Sequence, residues 1–327
     1  MRILSAADVR RALPMAEAIA GMKAAYSQLS AGRADVPLRA NLNLEAHHGR
    51  LLVMPAYLPA GGELAVKVVA VFPDNAHHGR PTLSAAVLLL DAPTGRPLAL
   101  LEGASLTAIR TGAGAGAATD ALARPEASVV AVLGSGAQAR SQLEAMCAVR
   151  LVAEVRVFSP NRAHAEAFGA ALGPSLPAGA RLRVTASPGS ALRGADIICA
   201  ATTSSRPVFD GRDLTPGAHI NAIGSFTPQM QEVDAETVRR ARVVVDSYAA
   251  ALAEAGDLII PLEAGIIGRD HIWAEIGEIL SGAKPGRSDP EEITLFKSVG
   301  VAAQDAAAAA IAWRNAEALG LGQSVEW

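Results

Sequence analysis

ASVVAVLGSGAQARSQLEAM, residues 127–146, joins an apolar run, a glycine turn and a helix-forming segment without interruption. Val129, Val130, Ala131, Val132 and Leu133 form a short run of the kind found in buried parallel strands. Gly134-Ser135-Gly136-Ala137-Gln138-Ala139 follows, a GxGxxA pattern. In a strand–turn–helix setting the first glycine makes the tight turn and the second lets the backbone approach a pyrophosphate. The third position, Ala139, needs only to be small enough for the helix to pack on the strand. The N-terminus of that helix offers free N–H groups and a partial positive charge to phosphate oxygens. The segment therefore predicts a dinucleotide site, with Gly134, Ser135, Gly136, Ala137 and Gln138 around the phosphates.

Outward from this turn the pattern alternates between strand and helix. TGAGAGAATDALA precedes it as a small-residue helix, and residues 137–148 form the helix after it. VRVFS is the second strand, NRAHAEAFGAAL a helix, and ADIICAATTS, AHINAIGS and RARVVVDS are further strands, with AALAEAGD a helix. This βαβ succession predicts a right-handed, doubly wound parallel sheet over residues 113–299. Upstream, residues 5–30 read as one N-terminal helix capped by Ser5 and ended by Gly32. Residues 36–110 read as consecutive strands (RLLVMPAYL, LAVKVVAVFP and LSAAVLLLDAPTGRPLALLEG), the last split at Ala92-Pro-Thr-Gly95. Strands without intervening helices predict a smaller, mostly antiparallel α+β domain. The tail LFKSVGVAAQDAAAAAIAWRNAEALG reads as one long helix that returns to that domain, so residues 1–112 and 300–327 are expected to form it together.

Composition narrows the function classes. The chain has 327 residues, half of them apolar, and a formal charge of −3 with no Lys/Arg-rich run, which speaks against nucleic acid as a partner. Cys147 and Cys199 are the two cysteines; unclustered, they argue against a disulfide framework or structural zinc and fit a reducing compartment. The first nineteen residues contain no apolar core of signal-peptide length, and the Ala-rich run 299–313 is interrupted by Gln304 and Asp305. A cytoplasmic protein without a membrane partner is the expectation. The pairs His47-His48 and His77-His78 both precede glycine in loop-like segments with no carboxylate cluster, and read as surface turns rather than metal ligands. His219, in an apolar strand, reads as a core residue.

The end of the second strand bears on cofactor choice. Folds that grip the ribose 2′-hydroxyl of NAD place Asp or Glu there, about 20 residues past the glycines. This chain has Ser159-Pro160-Asn161-Arg162 and no acid. Ser159, Asn161 and Arg162 can hydrogen-bond a 2′-phosphate, which a carboxylate would repel. NADPH is therefore the expected cofactor, with NADH possible; the alternative is that Arg162 is merely a solvated first-turn residue.

Several segments together resemble the ornithine cyclodeaminase/mu-crystallin family. They are Val66-Lys67, Leu106-Thr-Ala-Ile-Arg110-Thr111, Gly134 to Ala139, Ala201-Thr202-Thr203-Ser204, Gly217-Ala-His-Ile-Asn221-Ala-Ile-Gly224-Ser225, Val244-Val245-Asp246, and Leu295-Phe-Lys-Ser298-Val-Gly300. The match runs in register over roughly residues 10–315. It implies a dimerising substrate domain beside the nucleotide fold, a homodimer, and chemistry at a carbon bearing nitrogen and a carboxylate, where hydride is exchanged with nicotinamide. By that resemblance Arg110 binds the substrate carboxylate, Arg39 is the second arginine, Lys67 is the active-site lysine, and Thr82 contacts substrate or cofactor. Thr111, Thr202, Thr203, Ser225 and Ser298 are implied cofactor contacts.

A lysine on a strand is ordinarily an exposed residue of the pleat. Lys67 lies between Val66 and Val68 in an otherwise apolar strand. Desolvation there, with arginines nearby, predicts a lowered pKa and a lysine able to deliver a proton. Ornithine cyclodeaminases carry an aspartate shortly after the family's Gly-Gly or Gly-Ser turn, and here Phe226 holds its place in Gly224-Ser-Phe-Thr-Pro-Gln-Met-Gln-Glu232. A phenyl ring cannot bind an ammonium by a salt bridge, but it packs against an apolar ring. The pattern looks like members that reduce the cyclic imino acids Δ1-pyrroline-2-carboxylate and Δ1-piperideine-2-carboxylate to L-proline and L-pipecolate. An amino-acid dehydrogenase or acyclic imine reductase on the same scaffold is the nearer alternative; an ornithine cyclodeaminase and a non-catalytic nucleotide-binding protein are the further ones.

Overall fold

The computed structural model describes residues 1–326 and divides into two compact units, Met1–Arg110 with the residues from Val301 onward, and Thr111–Gly300. The first unit contains β1 (Arg2–Leu4), β2 (Ala40–Leu44), β3 (Gly49–Leu58), β4 (Glu63–Val71), β5 (Leu83–Asp91) and β6 (Pro97–Glu102). The ladder from β2 through β6 is antiparallel, and β1 pairs parallel to β6. The N-terminal segment is two helices, Ala6–Ala12 and Met15–Ser30, not one. Pro14 has no N–H to donate, so the first helix stops at Leu13 and a second begins. Ser5 does cap the first, accepting the Asp8 N–H.

The second unit holds β7 (Val129–Leu133), β8 (Glu154–Phe158), β9 (Arg181–Val184), β10 (Ile197–Ala200), β11 (His219–Ala222), β12 (Ala241–Val245), β13 (Ile272–Glu275) and β14 (Ile293–Lys297). The order is β9-β8-β7-β10-β11-β14-β12-β13, and every pairing is parallel. Strands run outward in chain order on both sides of the β7/β10 boundary, except that β14 inserts between β11 and β12; that boundary is the switch point of a doubly wound fold. The fold class expected from the sequence is borne out. The buried runs of β7, β10 and β14 reflect a sheet covered on both faces.

Two boundaries differ from the sequence reading. The sheet of the first unit ends at Glu102, and one helix runs Gly103–Leu122, so Arg110 lies on a helix rather than ahead of one. The tail is not one helix: Ile293–Lys297 is strand β14, and the C-terminal helix begins only at Ala302 and ends at Leu319. Strands β9, β13 and β14 have no counterpart in the sequence reading. The Ala-rich helix Ala302–Leu319 packs on the helix Met15–Ser30 and on β3 and β4, and β15 (Gln323–Ser324) pairs antiparallel with β1. Its run of alanines lets backbones approach closely while keeping high helix propensity.

Candidate active site

Strand alternation decides the environment of Lys67. The cross-strand row Met54–Lys67–Val87–Leu101 lies on the inner face of the first unit's sheet, and all four side chains are buried. Val66 and Val68 point to the opposite face, where Val68 is 38% exposed. Desolvation of Lys67 therefore comes from its cross-strand neighbours and the C-terminal helix, not from the valines beside it in sequence. Lys67 retains 2% of its exposure and pairs through Nζ with Asp305 Oδ2 at 2.7 Å; Asp305 retains 1%.

The same carboxylate takes a second cation. Arg110 Nε donates to Asp305 Oδ1 at 3.0 Å, and Arg110 Nη1 donates to Gln304 Oε1 at 2.8 Å. Gln304 Nε2 donates back to the Arg110 carbonyl oxygen at 3.4 Å. Burial is the largest influence on Lys67 and pulls its pKa down to about 7. The charges of Arg110 and Arg39 push the same way, and Asp305 opposes them. Arg39 is half-buried just ahead of β2. Thr82 is exposed ahead of β5, and its carbonyl oxygen accepts the Phe72 N–H.

In the second unit the marked residues gather at the C-terminal ends of the parallel strands. Gly134–Gln138 follow β7, Ser159–Arg162 follow β8, Thr202 and Thr203 follow β10, Ser225 and Phe226 follow β11, and Ser298 follows β14. Gly134 has φ +114, and a Cβ there would lie 2.5 Å from the Ala201 carbonyl oxygen, so glycine is required. A Cβ at Gly136 would meet open space, and the helix Ala137–Val149 starts there with no side-chain cap. Gln138 Oε1 is buried without a hydrogen-bond partner. A close-turning glycine, room at the next one, uncapped N–H groups and an unpaired amide oxygen fit the phosphates of a dinucleotide.

Other side chains here are turned inward. Ser225 Oγ donates to the Met230 carbonyl at 2.8 Å, and Ser298 Oγ donates to Asp246 at 2.7 Å. Thr111 is buried on the helix Gly103–Leu122, and its carbonyl accepts from Gln142. Thr202 Oγ1 accepts the Ser204 N–H, and Thr203 is exposed. Asn161 accepts the His164 N–H as a helix cap, while the exposed Arg162 pairs with Glu166 at 2.8 Å and Ser159 is half-buried. Phe226 is half-buried in its turn.

A buried clasp holds that turn. Glu232 accepts the N–H groups of Thr202 and Gly224, each at 2.5 Å, tying the ends of β10 and β11 together. Lys297 Nζ pairs with Asp257 at 2.7 Å and donates to the Ser225 carbonyl at 2.6 Å. Asp257 Oδ1 accepts the N–H groups of Glu232 and Val233. All three charged side chains are fully buried. Burial raises the Glu232 pKa, Asp257 adds to the rise, and Lys297 opposes it.

The sequence profile of the ornithine cyclodeaminase/mu-crystallin family matches residues 1–319. The chain belongs to that family. A Δ1-pyrroline-2-carboxylate reductase of Bacillus cereus is 40% identical over 328 aligned positions, covering all of both chains. The structure of Thermococcus litoralis Δ1-pyrroline-2-carboxylate reductase in complex with NADH and L-proline superimposes with a TM-score of 0.96. It is 42% identical and covers 99% of this chain and 100% of that one. An archaeal alanine dehydrogenase dimer with bound NAD follows at a TM-score of 0.93 and 34% identity, covering 100% and 99%.

Within this family member, Asp305, Gln304, Glu232, Asp257 and Lys297 stand out as buried polar residues to which the sequence reading gave no role. Gln304 and Asp305 carried a signal: they are the two polar residues in Ala302–Ala312. A polar pair inside an apolar helix stays buried only with partners. The histidine pairs lie in exposed short helical turns, among the described residues no group of metal ligands forms, and His219 is fully buried. No helix among the described residues is long and apolar enough to cross a membrane.

Proposed function

We propose that this protein reduces a cyclic ketimine carboxylate, Δ1-pyrroline-2-carboxylate or Δ1-piperideine-2-carboxylate, to L-proline or L-pipecolate with a nicotinamide dinucleotide. The observation that carries the proposal is Lys67, buried on an inner sheet face with more cationic than anionic charge about it. The reaction adds a hydride at C2 and a proton at nitrogen; a nicotinamide dinucleotide held at the Gly134–Gln138 turn would supply the hydride. A carboxylate substrate answers the positive charge of Lys67 and Arg110, which share the one carboxylate of Asp305, and planar guanidinium suits it best. A lysine poised near pH 7 suits proton delivery to the imine nitrogen, because general acids work best with a pKa near the working pH. Phe226, where cyclodeaminases have aspartate, offers no partner for the distal ammonium of ornithine.

NADPH is the preferred cofactor in this reading. The stretch Ser159–Arg162 at the end of β8 carries no acid at the place where folds that grip the ribose 2′-hydroxyl have one, and Arg162, paired with Glu166 on its own helix, can turn to a 2′-phosphate. A homodimer is supported by the outer face of the first unit's sheet. Its rows Val53–Val68–Ala86 and Pro55–Val66–Leu88 are apolar, with Val68 and Tyr57 more than a third exposed. Antiparallel sheets ordinarily turn a polar face to water, so an apolar second face calls for a cover. A second copy is the cover favoured by the dimeric state of the alanine dehydrogenase.

The test is oxidation of NADPH by Δ1-pyrroline-2-carboxylate in the absence of ammonium, with L-proline as product. Turnover that appears only when ammonium and a keto acid are added would make the protein an amino-acid dehydrogenase instead. Ammonia and proline released from L-ornithine with NAD+ would restore the cyclodeaminase reading.

A further inference from the structure

Lys67 and Arg110 come from different elements, a strand and a helix, and meet on one carboxylate. Asp305 gives Oδ2 to Lys67 and Oδ1 to Arg110 Nε, and the adjacent Gln304 takes Arg110 Nη1. Both acceptors sit in the first turns of the helix Ala302–Leu319, whose positive end favours a negative side chain. The remaining neighbours of Lys67 in its row, Met54 and Val87, are apolar and cannot orient an ammonium. Of the charged groups that act on it most strongly, Arg110 and Arg39 are cations and Asp305 is the anion.

We infer that Asp305 is a positioning residue for the reduction, fixing the Lys67 ammonium and the Arg110 guanidinium in register through the two oxygens of one carboxylate, with Gln304 setting the guanidinium plane. The inference rests on the ketimine-reductase reading for its kinetic part. Asp305 does two separable things. It locates Nζ, which a strand side chain of four methylenes would not do alone. It also sustains the proton on Lys67 against two neighbouring cations, since an opposite charge within hydrogen-bonding distance shifts a pKa by about one to three units.

The experiment compares Asp305→Asn and Asp305→Glu with the parent enzyme in kcat/KM against pH. In the parent, activity falls as pH rises through about 7, because Lys67 loses the proton it donates. Removing the negative charge in Asp305→Asn moves that alkaline limb down by about one unit or more, so activity lost at pH 7.5 returns toward pH 5. Asp305→Glu keeps the charge and displaces it by one methylene, so its limb stays in place while kcat drops about tenfold. A limb unmoved in Asp305→Asn, or full turnover in Asp305→Glu, overturns the inference. Should Asp305→Asn fail to fold, Asp305→Glu decides alone. The pH dependence of the Lys67 13Cε chemical shift in 13C-lysine-labelled protein, read by NMR, reports the same titration without turnover. A shift there in an inactive parent would retain Asp305's hold on Lys67 and dismiss the reaction.

Discussion

Each unit buries one lysine against one aspartate at 2.7 Å, and the two pairs differ in the charge left over. Around Lys67 the surplus is positive: Arg110 and Arg39 lower its pKa and Asp305 opposes them. Around Lys297 the surplus is negative, because Glu232 and Asp257 share one cation. The negative surplus is absorbed internally. Backbone N–H groups of Thr202, Gly224, Glu232 and Val233 all donate to those two carboxylates. In the first cluster Asp305 and the neutral Gln304 amide oxygen receive Lys67 and Arg110, so one carboxylate faces two buried cations. A buried charge matched by backbone is structure, whereas a buried charge of one sign in excess is a place for a ligand of the other sign.

The comparison breaks most readily at Lys297. Lys297→Met leaves two buried carboxylates without a cation and frees the Ser225 carbonyl, so unfolding free energy should fall by about 3–5 kcal/mol. Urea denaturation measures it. A variant as stable as the parent would make the clasp dispensable. Lys67→Met is expected to behave oppositely. Asp305 keeps Arg110, and a buried ammonium is replaced by an apolar chain of similar volume, so stability holds or rises. Turnover, in contrast, drops by at least about 10²-fold, the low end for loss of a general acid. Loss of folding together with activity in Lys67→Met would place both lysines in one structural class.

What the sequence disclosed follows the range of the interactions. The glycine turn was legible because strand, turn and helix are contiguous and the close approach of Gly134 is a local demand. The start of the helix Gly103–Leu122 was hidden because its first N–H groups are taken by a residue outside the usual caps. Glu102, the last residue of β6, accepts from Ala104 and Ser105. Strand β14 was hidden because a fully buried parallel strand shows no alternation in burial, and its Thr294 and Lys297 break the apolar run that would mark it. Lys67 could be singled out as anomalous in its strand, but the residues that desolvate and pair it lie across the sheet and at the far end of the chain. Asp305 was visible only as an interruption of an apolar run, since nothing local to residues 302–312 names its partners.

The finest contrast lies between Arg162 and the residues next to it. Asn161 is committed to the cap of its helix, so its removal would weaken the helix as well as any ligand contact. Arg162 is exposed, and its bond to Glu166 is a surface pair of the kind that contributes little to stability. Arg162→Ala therefore isolates cofactor choice from folding. A 2′-phosphate gripped by Arg162 should lose about tenfold in NADPH affinity, or about 1.4 kcal/mol, a modest charge-assisted hydrogen bond. NADH, which has a hydroxyl there, should bind within about twofold of its parent value. Fluorescence titration of both cofactors reads the ratio directly. Equal weakening of the two would assign the end of β8 to general electrostatics and withdraw the preference for NADPH, whereas a selective loss would show that three residues without an acid are enough to set it.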